Sequence, residues 1–190
     1  MFNKLKDDSR ERIIYYQSMI KDKNNPILMK IIGIMNAWSE IVKKGKVDID
    51  DINILKNAIY ESNEYIWFEA GQKLIELMRY DNKIRNIFIE TLSDKNWRPR
   101  FNTVALSENF DKELAGLILK QGIDDKNSKV REKTADVILS REDKYLLPLL
   151  EARLQKEDNI IVKRAINFTL ENIHNLNRDE NGSIVFTIKQ

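Results

Sequence analysis

Leu92, Ile123 and Leu154 follow one another at intervals of 31 residues, and each sits at the same place in a longer pattern. An apolar pair precedes each one: Ile87–Phe88, Ile118–Leu119 and Leu149–Leu150. A polar turn follows, and beyond it small or apolar residues match again: Thr103, Thr134 and Ala165; Val104, Ala135 and Ile166; Leu106, Val137 and Phe168. Offsets of one and three trace a single stripe of a helix. One copy earlier, Ile59 and Ala70 precede Leu92 and Thr103 by 33, and the two extra residues fit the turn at 79–82. Two short helices per period predict an all-α chain, an α-α superhelix of about four to five helix pairs. One pair cannot bury its apolar face alone, so each copy leans on the next.

Composition agrees with that architecture. Only 3 Pro and 6 Gly occur in 190 residues, too few for a chain built of tight β-turns. Upstream of the repeats, apolar periodicity predicts helices over 9–22, 26–44 and 51–61. Ser9 is the N-cap candidate for the first, and Asn25–Pro26 separates it from the second. Gly45 suits a left-handed helix end, and Asp48 or Asp50 caps the third helix. The expected organisation is one domain over 1–190. It has N-terminal capping helices at 1–58, repeats at 59–173 and a tail at 174–190.

The turns carry a family resemblance. "LSDKNWRPR" at 92–100 and "IDDKNSKVR" at 123–131 resemble the short HEAT-like repeat of phycobilisome-lyase-type and related bacterial proteins. Asp94 with Arg100, and Asp125 with Arg131, stand in its Asp and Arg places, and Val130 in its Val place; Pro99 departs from it. The third copy departs further, with Lys156 and Val162 in those places. The resemblance covers about 59–173. It implies a structural ladder in which the Asp of one copy pairs with the Arg of a neighbour. It also implies that the second helix of each pair, here about 82–92, 110–122 and 143–155, lines a concave face.

Exposed candidates on those helices are Lys83, Asn86, Glu90, Lys112, Glu113, Lys120, Lys144, Glu151 and Arg153. Their mixed charge suits a polar, charge-complementary protein partner. A second candidate set opens the other helices: Arg98, Arg100, Arg131, Lys133, Lys163 and Arg164, with Trp67 and Trp97 beside the turns. Helix starts favour anions and indole rings stack on bases, so this set suits nucleic acid. HEAT-like DNA glycosylases of the alkylation-repair type are the corresponding enzyme reading. The competing role for these residues is structural: ladder pairs and aromatic covers between copies. Trp38 falls within the apolar stripe of its own helix and is assigned to the core.

The absence of Cys rules out disulfides, thiolate catalysis and Cys-bound zinc. A single His, His174, cannot build a His-based metal site, and no cofactor motif occurs, so no cofactor is expected. With 32 basic and 30 acidic residues, the chain has no global pull toward nucleic acid or membrane. No apolar run is long enough to span a bilayer, and a cytoplasmic protein is expected. The expected function is therefore a non-catalytic protein-interaction scaffold. "SIVFTIK" at Ser183–Lys189 alternates like a strand in an otherwise helical chain. It has four outlets: capping the last repeat, pairing in a homodimer, adding to a partner's sheet, or fraying.

Overall fold

The computed structural model describes residues 5–174, together with the backbone of 176–178 and 184–186. Among the described residues the body of the chain is all-helical. Its helices are α1 (Ser9–Met19), α2 (Pro26–Lys44), α3 (Ile49–Ala58), α4 (Glu64–Met78), α5 (Lys83–Thr91), α6 (Trp97–Leu106), α7 (Lys112–Ile123), α8 (Ser128–Arg141), α9 (Leu147–Lys156) and α10 (Ile160–Asn172). Contacts gather into two compact units, one ending at Asn102 and the other beginning at Thr103. That boundary falls inside α6, a continuous helix, so it coincides with no linker in the sequence.

In the first unit α2 is the hub. Its buried stripe of Ile31, Ile34, Met35, Trp38 and Ile41 meets α1, α3 and α4. Asn25 and Pro26 start it and Gly45 ends it at φ 62°, a left-handed turn that a side chain would strain. Asp48 is the residue before α3. The start of α1 differs from expectation: Asp8 precedes the helix and Ser9 is its first residue. The Asp7 carboxylate takes the Ser9 N–H at 3.1 Å, so Ser9 is held inside the first turn.

In the second unit α7 packs on α8 and α9, and α8 packs on α10. Here the third copy slips by one residue from the 31-residue register. Leu114, Ile118, Val130 and Thr134 are matched 32 residues later by Leu146, Leu150, Val162 and Ile166, all buried. Leu149 and Phe168, matched to buried residues by the period of 31, are instead exposed. The additional residue lies in the turn after α8, where Glu142 adopts φ 58°. Left-handed backbone is costly for a side-chain-bearing residue, so Glu142→Gly should stabilise the protein by about 1 kcal/mol. A rise in the midpoint of thermal unfolding checks it; an unchanged or lower midpoint contradicts it.

The strand pattern near the C-terminus is a strand over Ile184–Phe186. It pairs antiparallel with Leu176–Arg178 of the same chain, Leu176 opposite Phe186. A hairpin within the chain was not among the four expected outlets, because the short 176–178 segment has no alternation of its own to announce it. Ser183 and residues 187–189 lie outside the described residues.

Candidate partner-binding surface

The turns are built from asparagine. Asn25, Asn63, Asn96, Asn127 and Asn159 each stand one residue before an even-numbered helix. In each, Oδ1 accepts the N–H two residues on, from Ile27, Tyr65, Arg98, Lys129 and Ile161, at 2.9–3.1 Å. This satisfies a donor that the first helical turn leaves orphaned. Acids two residues earlier repeat the device: Asp94, Asp125 and Glu157 accept from the N–H of Asn96, Asn127 and Asn159. Glu157, not Lys156, therefore holds the acidic place in the third turn, one residue beyond the 31-residue register.

The ladder arginines point inward. Arg100 is buried and its Nη1 donates to the Asp94 carbonyl at 2.6 Å. Arg131 Nη1 donates to the Asp125 carbonyl at 2.7 Å. The rest of the Arg131 fork grips Glu157, Nε to Oε2 at 2.6 Å and Nη2 to Oε1 at 2.7 Å. Arg153 Nε reaches the same carboxylate at 2.9 Å. The Arg131 hydrogen bonds hold the Glu157 carboxyl well below the usual range, at about 2; burial opposes this, and the Asn159 N–H and Arg153 reinforce it. Arg153 was expected on the partner face. It is instead half-buried, braced between Glu157 and Asp124.

The other expected face residues, Lys83, Asn86, Glu90, Lys112, Glu113, Lys120, Lys144 and Glu151, are all exposed. Glu90 is paired with Lys56 at 2.8 Å. On α7 these residues border an open groove of about 630 Å³, lined by Lys112, Glu113, Gly116, Leu117, Lys120, Gln121 and Tyr145. Helical spacing puts Lys112, Gly116 and Lys120 on one stripe and Glu113, Leu117 and Gln121 on the next. Tyr145 forms the far wall, in the single-turn 3-10 segment Lys144–Leu146 that leads into α9. The segment expected as one helix over 143–155 thus has a turn first, with Pro148 inside the first turn of α9. Tyr145 and Gly116 were not singled out from the sequence. A small residue beside a distant aromatic has no local signature.

The anion set is unevenly exposed. Trp67 is buried, edge-on to Phe68. Trp97 is half-buried, edge-on to Phe101 and beneath the Arg98 guanidinium at 5.1 Å. Lys133 and Lys163 are half-buried, and Arg164 is exposed. His174 is exposed just past the end of α10.

One cluster escaped sequence reading. Glu69 and Lys73 on α4 are only 2% and 3% exposed. Glu69 accepts from the Tyr16 hydroxyl at 2.7 Å and pairs with Arg12. Lys73 Nζ lies 2.6 Å from Asp8 and 4.8 Å from the centre of the Trp38 ring. Both read as ordinary helix-surface charges until α1 is laid over them. Among the described residues no group of His, Asp or Glu is arranged to hold a metal ion, and no helix is long and apolar enough to cross a membrane. Protein-family models, curated proteins and solved structures yield no match to this chain.

Proposed function

We propose that this chain is a HEAT-like solenoid acting as a protein-interaction scaffold, with no chemistry of its own. The observation that carries the reading is the division of labour between alternate helices. Even-numbered helices begin at a shared asparagine turn and bury their first-turn arginines, Arg100 and Arg131. Between them, α5 and α7 keep Lys83, Asn86, Lys112 and Lys120 in solvent. Ladder residues hold copies together in a repeat protein, which leaves the interleaved helices free for partners. The alternative, nucleic-acid binding akin to alkylation-repair glycosylases, draws on Arg98 over Trp97. Burial of Arg100 and Arg131 removes two of its six cations from reach.

Affinity capture from native lysate tests the two readings together. Wild type is compared with the triple variant Lys83→Glu, Lys120→Glu, Lys144→Glu, with and without nuclease. Protein partners that survive nuclease and fall away with the triple variant are the expected result. Recovery that disappears with nuclease would transfer the assignment to nucleic acid. Equal recovery by both proteins would remove the α5 and α7 faces from the interface.

A further inference from the structure

The groove on α7 has a built wall, and that wall depends on a missing side chain. The Tyr145 hydroxyl lies 2.7 Å from where a Cβ on Gly116 would stand, so an added methyl group would push the end of the ring away from the helix. Lys112 Nζ sits over the other part of that ring, 5.0 Å from its centre. The tyrosine thus meets both the Lys112 ammonium and the bare helix at Gly116, yet 43% of it remains open to solvent. Leu117 on the neighbouring stripe is 48% exposed, which leaves an apolar strip between two polar rims. Partial burial and the Asp143 carboxylate raise the phenol above its ordinary value, so it stays neutral at physiological pH.

Charge defines the occupant. Lys112 and Lys120 stand two helical turns apart, about 12 Å, on one side of the strip. Both are exposed. Against these two lining cations stands one lining acid, Glu113, which already interacts within the protein, and the Asp143 carboxylate near Tyr145 is itself paired with Arg141 at 2.7 Å. We propose that the groove docks an acidic segment of a partner protein. One apolar side chain would lie between Leu117 and Tyr145, and carboxylates would meet Lys112 and Lys120. A nucleic-acid backbone fits less well, because it needs an unbroken row of cations and would meet Glu113 and exposed Leu117. This inference rests on the scaffold reading and narrows its partner.

The test is selection of random short peptides displayed on phage against the full chain. Labelled winners are then titrated by fluorescence anisotropy. Enriched sequences should place Asp and Glu around a Leu, Phe or Trp. Lys120→Glu and Gly116→Ala should each weaken binding by at least about tenfold, while Lys126→Glu, an exposed residue in the turn before α8 and in neither candidate set, leaves it unchanged. Gly116→Ala meets only the flexible end of Tyr145 and adds a better helix former, so its circular dichroism should match wild type. Enrichment of basic or uncharged peptides, or of none, overturns the proposal. So does binding indifferent to Lys120→Glu and Gly116→Ala, or displacement of the peptide by oligo(dT). Binding lost with Lys83→Glu but kept with Lys120→Glu removes the groove and leaves the scaffold standing.

Discussion

Glu157→Ala should cost the unit beginning at Thr103 about 3–5 kcal/mol, the penalty for breaking a buried ion pair and leaving its cation without a counter-charge. Arg131 is 9% exposed and would lose both carboxylate bonds; the Asn159 N–H would lose its acceptor at the mouth of α10. Glu157→Gln keeps an acceptor for Asn159 and should fall between wild type and Ala. The tryptophans at 38, 67 and 97 all precede Thr103, so urea unfolding followed by far-UV circular dichroism is the suitable probe. A midpoint for Glu157→Ala equal to wild type would mean that the Arg131 fork contributes nothing net.

The same pair makes stability depend on acid. A carboxyl with an ordinary value of 4.5 and a folded value of about 2 is stabilised in its charged form by the fold. Its contribution is complete above about pH 4.5 and is lost as pH falls toward 2, about 3 kcal/mol in all. Wild type should therefore lose more stability between pH 5 and pH 3 than Glu157→Gln does. Parallel pH profiles for the two proteins would contradict this.

Glu69→Ala is the second large effect, about 2–4 kcal/mol, and it is local. Removing the carboxylate strands the buried Tyr16 hydroxyl and frees Arg12, the two groups by which α1 is tied to α4. Amide hydrogen exchange should show α1 opening well before α2. Tryptophan fluorescence should change as well, since Trp38 Nε1 donates to the Lys6 carbonyl just before α1, and Asp8 at the start of α1 pairs with the Lys73 ammonium that lies over the Trp38 ring. Glu69→Gln retains an acceptor for Tyr16 and should recover part of the loss. Unaltered exchange across 9–19 in Glu69→Ala would show that α1 is held by apolar contact alone.

Much of the fold was legible because local signals repeat. The period placed the helices of the repeats to within a few residues, and Asn25–Pro26 and Gly45 marked the ends of α2. The asparagine register at 25, 63, 96, 127 and 159 was also visible, at spacings of 38, 33, 31 and 32. It is a firmer guide than the Leu92–Ile123–Leu154 spacing, which misaligned the third copy by one. A one-residue slip is silent in an apolar pattern, since Leu149 and Leu150 look alike, but Asn caps only one position in a turn. The site was less legible. Lysines on α5 and α7 could be listed as exposed, yet nothing local joins Gly116 to Tyr145 or separates Arg153 from its exposed neighbours.

Periodicity, composition and turn chemistry by themselves determined that this chain makes paired helices, where most begin, and that it has no thiol and no second histidine with which to form a disulfide, a Cys-bound zinc site or a His-based metal site. Those properties follow from side chains a few residues apart, whose spacing is set by the helix itself. Tertiary structure alone decided which charges are buried. Glu69 meets Arg12 across 57 residues and Lys73 meets Asp8 across 65, distances at which sequence carries no geometry. It also decided that Arg131 grips Glu157, 26 residues on, and that Tyr145 lies over Gly116. A guanidinium, a carboxylate or a phenol takes its role from what is packed against it.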